Sequence, residues 1–221
     1  MITVVIPTMW RYAPLLDFVG YIARVDVVEE IIIINNDNTR TPDHAALSHP
    51  KVRLVDFGHN IFVNPAWNWG VNNSKSDKVC ILNDDCTFDL KLLYRVDEFL
   101  TEDMGSIGMS AGRADLGQTP LTNGAIDFEP FAGQACYGWG NLMFVHKKYW
   151  RDIPDGLDIW FGDVFIFDYP LFNGRQNYFI TNMFHYHAEA QTLQTMDVSA
   201  RFAQEQVVWD QVAGRIRSRT F

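Results

Sequence analysis

The chain has 221 residues, a formal charge of −9, 48% apolar residues, 14% aromatic residues and 20% charged residues. That composition excludes disorder and fibrous repeats, and the length suits one sizeable core. The negative charge argues against a broad nucleic-acid surface, since neutralising phosphates needs a Lys/Arg footprint; the closing RIRSRTF leaves room only for a local contact.

Three cysteines, Cys80, Cys86 and Cys136, cannot all pair within the chain and show no CxxC spacing. Reduced thiols and a cytoplasmic, soluble protein are therefore expected in place of a disulfide or zinc framework. The opening MITVVIPT lacks a basic segment and soon meets Pro7, so it reads as a strand and not as a signal peptide. No apolar run approaches the roughly 20 residues that a membrane span needs.

In chain order, Ile2 to Ile6 is a β-branched run stopped by Pro7, and Pro14 to Arg24 has helical spacing through Leu15, Phe18, Val19 and Ile22. Glu30 to Ile34 is a second buried strand, followed by the polar loop NNDNTRTPDH, and Lys51 to Phe57 alternates as a third. Asn64 and Pro65 place a cap and a first-turn proline before the short helix AWNWGVNNS, after which Val79 to Leu82 is a fourth strand. Further on, Asn141 to Val145 reads as a strand, Lys147 to Trp150 as the start of a short helix, and Asp197 to Ala213 as a helix through Val198, Phe202, Trp209 and Val212. Apolar strands separated by helices imply a mostly parallel sheet covered on both faces, with ligands gathering at the strands' carboxyl ends. Thr8 with Arg11, Asn36 with Asp37, and Asn83 to Asp85 each follow such a strand and would converge on one crevice.

The stretch KVCILNDDCTF drives a buried strand into adjacent carboxylates that repel each other. Asn83, Asp84 and Asp85 either cradle Mg²⁺ or Mn²⁺, leaving coordination sites for a substrate's phosphates, or form a solvated turn in which an Asp caps the next helix. Neither GxxxxGK[ST] nor GxGxxG is present, so phosphate charge falls to a cation, loop amides or bases such as Arg11, Lys147 and Lys148. His185 and His187 lie two apart, either as structural residues or turned towards a cation. Asp163, set among aromatics in WFGDVF, is either a proton acceptor or a cap after Gly162, and Asp168 competes with it. Trp67, Trp69, Trp139, Trp150, Trp160 and Phe161 divide between core and one or two pocket-lining positions.

Together these segments resemble family-2 glycosyltransferases of the GT-A fold. TVVIPTMWR is similar to that family's VSVIIPTYNR, EEIIIINNDNTR to EIIVVDDGSTD, and NPAWNWGVNNSKSDKVCILNDDC to AARNAGIxxAxGDYILFLNNDT, over roughly the first 90 residues. GWGNLMFVHKKYW, FGDVFIFD and HYHAEAQT are fainter matches to its acceptor-side strand, base motif and late histidine. The resemblance implies a single GT-A domain over 1–221, its nucleotide-binding half being about 1–90 and its acceptor-side half about 91–221. It implies that Pro7, Thr8, Arg11, Asp37, Asn68, Asn83 and Asp84 bind the donor, and that Asp85 with His187, or else His185, holds Mn²⁺ or Mg²⁺. Asp163, with Asp168 as the alternative, would be the base. The expected reaction moves a sugar, with inversion, from a nucleotide-sugar donor such as a UDP-sugar to a glycan or other hydroxyl acceptor. Three departures stand out: Asn83 heads the D-x-D position, Asn36 replaces an acid, and GDVFIFD lacks the adjacent ED.

Three rival readings make different predictions. Transfer to a hydroxylated base in DNA would show as salt-dependent duplex binding. A nucleotidyltransferase would release pyrophosphate, although such enzymes carry a Gly-rich first loop that PTMWRYAP lacks. A non-catalytic binding module would bind nucleotide sugars without releasing UDP.

Overall fold

A computed structural model describes residues 1–109, 125–133, 139–183, 185–188 and 199–218. Cys136, Asp197, Val198 and the last three residues of the basic tail lie outside them.

Among the described residues, one eight-stranded sheet has the order β3-β2-β1-β4-β8-β6-β9-β7. Strands β1 (Ile2–Thr8), β2 (Val28–Asn35), β3 (Val52–Asp56) and β4 (Lys78–Leu82) pair in parallel. On their other side β8 (Leu142–His146) runs antiparallel to both β4 and β6 (Ile107–Met109). Strand β9 (Tyr178–Thr181) is parallel to β6, and β7 (Asp127–Pro130) closes the edge antiparallel to β9. A separate ribbon pairs β5 (Cys86–Phe88) with β10 (His185–His187).

The isoleucine and valine runs are apolar throughout because alternate residues feed two cores. Val4, Ile6, Ile31 and Ile33 enter the core covered by α1 (Leu15–Ile22) and α3 (Lys91–Phe99). Val5, Ile32 and Ile34 enter the opposite one, under α2 (Val63–Asn72), α4 (Gly162–Phe172) and α5 (Ser199–Arg217). Gly70 lets α2 sit close to the sheet, since a Cβ there would come 2.3 Å from Val5 Cγ1. No helix among the described residues is long and apolar enough to cross a membrane.

Several boundaries differ from the sequence expectation, each for a physical reason. Strand β1 continues through Pro7 to Thr8 because β4 pairs only as far as Val5, leaving that side of Pro7 without a ladder to break. Helix α2 begins before Asn64, which is buried in the first turn and makes no cap; its side chain instead reaches the carbonyls of Leu157 and Trp160. Lys147–Tyr149 is one 3-10 turn. Asp84 and Asp85 lead into strand β5 rather than a helix, so neither is a cap.

Candidate active site

Three parallel strands end side by side and present their following residues to one edge. Thr8 closes β1: its hydroxyl accepts from Trp10 N–H (2.8 Å) and donates to Asp84 Oδ2 (2.6 Å), tying the first loop to the acidic turn. Trp10 sits at φ 58°, a backbone region L residues seldom adopt, and its indole N–H donates to Asn35 Oδ1 (2.7 Å). Asn35 also accepts from Asp37 N–H and donates to Asp56, so the turn after β2 is built around one buried amide. Asn36 accepts from Ile61 N–H and donates to the Phe62 carbonyl, holding the segment that leads into α2. Asp37 remains partly exposed; the hydrogen bonds from Thr39 hold its carboxyl below the usual range, helped by the charges of Arg40 and Arg11.

After β4 the two acids part company. Asp84 turns towards Thr8, and burial, reinforced by the neighbouring Asp85 charge against the Thr8 and Met9 hydrogen bonds, raises its pKa to about 6. Asp85 is only 6% exposed and lies 3.2 Å, Oδ1 to Nε2, from His187. The β5–β10 ribbon makes this contact: His187 pairs with Cys86, one residue beyond Asp85, and Ala188 N–H donates to the Asp85 carbonyl.

The antiparallel placement of β8 brings its start to the end of β4. Asn83 N–H donates to the Asn141 carbonyl (3.1 Å), and the Asn141 amide lies between Asn83 Nδ2 (3.4 Å) and His187 Nδ1 (3.5 Å). One residue earlier, Gly140 N–H donates to Asp163 Oδ2 (3.3 Å), while Val164 N–H donates to Asp163 Oδ1. Asp163 therefore stands in the first turn of α4, linked through Gly140 and Asn141 to the Asp85–His187 pair; burial raises its pKa against the two amide hydrogen bonds.

Not every predicted residue joins this cluster. Asn68 is bonded both ways to Ile153, its amide to the carbonyl and its oxygen to the N–H, and is thereby committed to a loop contact. Asp168 lies about 140° further round α4 than Asp163, and the charge that reaches it is that of Arg217 on α5. His185 shares the ribbon face of His187 but is fully buried, its two ring nitrogens have no partner among the described residues, and burial lowers its pKa to about 4. Pro7 lies in β1, paired with Ile34, and Arg11 is exposed within electrostatic reach of Asp37. Of the aromatics, Trp67 and Trp139 are core, Trp69, Trp150 and Phe161 are partly buried against it, and Trp160 is partly buried and meets Phe202 edge-on. Sequence reasoning missed Trp10, Gly140, Asn141 and Tyr12, whose hydroxyl lies within electrostatic reach of Asp85 and Tyr186. The glycines of GWGN were the available signal for Gly140 and Asn141.

One carboxylate oxygen and one imidazole nitrogen are spaced as two ligands of a single divalent cation would be. Two adjacent ligands of an octahedron with arms of about 2.1 Å are about 3 Å apart, close to the 3.2 Å between Asp85 Oδ1 and His187 Nε2. Among the described residues no three His, Cys, Asp or Glu side chains converge on one point, so phosphate oxygens or water would have to complete such a shell.

The sequence profile of glycosyl transferase family 2 matches residues 3–146, which include the ends of β1, β2 and β4 and the start of β8 but neither Asp163 nor His187. The chain belongs to glycosyl transferase family 2. Its mixed, mostly parallel sheet flanked by helices is the GT-A architecture. Among solved structures, the S. aureus TarS fragment 1–349 superposes with a TM-score of 0.59 at 11% identity, over 84% of this chain and 60% of that one. A nucleotidyl transferase from Methanothermobacter thermautotroptrophicus superposes with a TM-score of 0.52 at 15% identity, over 81% of this chain and 86% of that one. These likenesses are of fold. The chain spans about 60% of the TarS fragment's length. No curated protein matches its sequence.

Proposed function

We propose that the chain transfers a sugar from a nucleoside diphosphate to a hydroxyl acceptor, most simply a glycan, with inversion at the anomeric carbon. The observation that carries this reading is the Asp85–His187 pair just beyond the end of β4, linked through Asn141 and Gly140 to Asp163. The donor half (residues 1–90) and the acceptor half (91–221) act as one domain, because strands from both enter the same sheet.

Asp85 and His187 would hold Mn²⁺ or Mg²⁺, which supplies positive charge against the leaving diphosphate. Thr8 and the turn after β2 take the nucleotide end, with partly exposed Asp37 accepting from ribose or base and Arg11 beside it. Asp84, held by Thr8, keeps the acidic turn in register with the first loop. The acceptor hydroxyl gives its proton to the Asp163 carboxylate while its oxygen bonds to the anomeric carbon; the bond from that carbon to the diphosphate oxygen breaks on the opposite face, and the nucleoside diphosphate leaves. A raised pKa suits this role, since a base poised nearer neutrality accepts a proton more readily.

UDP-sugars are the first donors to test, because a TarS structure of this fold (TM-score 0.58) was solved in complex with UDP. The experiment is a thermal-shift panel of UDP, GDP, UDP-GlcNAc, UDP-glucose and GDP-mannose with and without Mn²⁺. A ligand at 100 times its Kd adds about 2.7 kcal/mol of stability. A metal-dependent shift by one base supports the reading, and no shift from any nucleotide contradicts it. Pyrophosphate release from a nucleoside triphosphate would instead select the nucleotidyl-transfer reading.

A further inference from the structure

The residue proposed as base follows a segment that builds no helix or strand. Residues 157–161 run into α4 through Phe161, which sits in the left-handed region at φ 61° and ψ −2°. For a bulky residue that conformation persists only when the surroundings over-determine it. Two elements do so. From α2, Asn64 N–H donates to the Asp158 carbonyl and its side-chain amide donates to the Leu157 and Trp160 carbonyls at 3.1 and 3.0 Å. Gly162 is packed so closely here that a Cβ would come 2.0 Å from Asn64 Oδ1.

From the other side comes α5. Glu205 is 2% exposed, yet its carboxylate makes no ion pair among the described residues; it accepts from Ile159 N–H at 3.1 and 3.2 Å and from Trp160 N–H at 2.7 Å. Its neighbours on the same helix face grip the same segment. Arg201 pairs with Asp158 and lies over the Phe62 ring, Phe202 meets Trp160 edge-on, and Trp209 stacks on Phe161. A buried carboxylate is costly to desolvate, so its use to fix two consecutive loop amides two residues before the left-handed turn calls for a reason beyond packing.

We propose that Glu205 is a positioning residue for Asp163: by holding Ile159 and Trp160 it fixes the turn at Phe161 and so aims the first turn of α4 at Gly140. The inference deepens the reading of Asp163 as the base and rests on it. Charge is not the means. Glu205 acts by reach, through two amides and one turn of backbone. Asp163 is governed by burial and by the N–H groups of Val164 and Gly140, whereas the charges around Glu205 are those of Asp158 and its partner Arg201.

The test separates reach from charge in the full chain. Glu205→Gln keeps an accepting oxygen at the same distance and removes the charge; Glu205→Asp keeps the charge and shortens the arm by one methylene. The Asp163 carboxyl is titrated by carbon-detected NMR and assigned by its absence in Asp163→Asn. In the wild type burial should hold it above the ordinary carboxylate range. We expect Glu205→Asp to move it back towards that range by about one pH unit, tenfold in the acid constant, and Glu205→Gln to leave it nearly in place. A Glu205→Gln shift as large as or larger than that of Glu205→Asp, or no shift in either, overturns the proposal. The titration reports the setting of Asp163 whether or not it is the base; failure of the base reading would appear instead as near-normal turnover by Asp163→Asn.

Discussion

The proposed donor and acceptor halves build their parts of the site by different means. In the donor half three adjacent parallel strands end together, and each functional group lies within a few residues of a strand end: Thr8 closing β1, Asn35 to Asp37 at the end of β2, Asn83 to Asp85 after β4. In the acceptor half Asp163 is set by Gly140, 23 residues earlier, and by a segment held from Glu205, 46 and 45 residues beyond the amides it grips. The first arrangement is written in local pattern; the second exists only once remote backbone groups have met. A strand end needs only its own hydrogen-bond ladder to be placed, whereas a helix start after a left-handed residue needs neighbours to hold it.

Breaking the donor half at its strongest point should have the largest effect. Asp85→Ala is expected to reduce metal-dependent transfer about 10³-fold or more, read as turnover of the donor identified in the thermal-shift panel. Unchanged turnover would detach the acidic turn from the chemistry.

Breaking the acceptor half at Asp163 should cost about 10²- to 10⁴-fold in kcat with the donor KM unchanged. The same variant should gain stability. A carboxyl whose folded pKa is raised contributes stability that is full below its ordinary value of 3.8 and is lost as pH rises through the raised value. Asp163→Asn should therefore melt above the wild type at pH 7 and level with it near pH 3.5. A variant that melts lower at pH 7 would show Asp163 to be chiefly structural.

Gly70→Ala tests the scaffold common to both halves. A Cβ 2.3 Å from Val5 Cγ1 overpacks α2 against β1, with an expected loss of about 1–3 kcal/mol in denaturant unfolding and little change in activity per folded molecule. The smallest effect should be that of Asp168→Asn, under about threefold in kcat, because its side chain faces the Arg217 charge and not Gly140. A loss matching that of Asp163→Asn would move the base to Asp168.

The same contrast explains what could be read in advance. The β-branched runs located β1 to β4 within two residues, because a strand buried on both faces needs apolar residues throughout. The errors arose where tertiary contacts override local chemistry. Asn64, a residue suited to capping, is drawn into the first turn of α2 by the carbonyls of Leu157 and Trp160. The turn after β4 feeds a ribbon because β10 is there to pair with it. That His187 rather than His185 meets Asp85 depends on the register of that ribbon, which spacing alone does not reveal. Glu205 carries no motif, and Trp10 and Asn141 lie in matched segments that do not single them out: a positive φ, an amide between two strands and a carboxylate on backbone N–H groups leave no periodic trace in the chain.

In the proposed mechanism Asp85 and His187 together bind the cation that faces the diphosphate. Pulsed EPR of Mn²⁺ with UDP bound to the full chain tests it directly, because a coordinating imidazole couples its nitrogen to the manganese. The expected spectrum shows a nitrogen coupling that disappears in His187→Ala and persists in His185→Ala, with Mn²⁺ binding lost in Asp85→Ala. A spectrum without nitrogen coupling, or Mn²⁺ bound as tightly to Asp85→Ala as to the wild type, would contradict it.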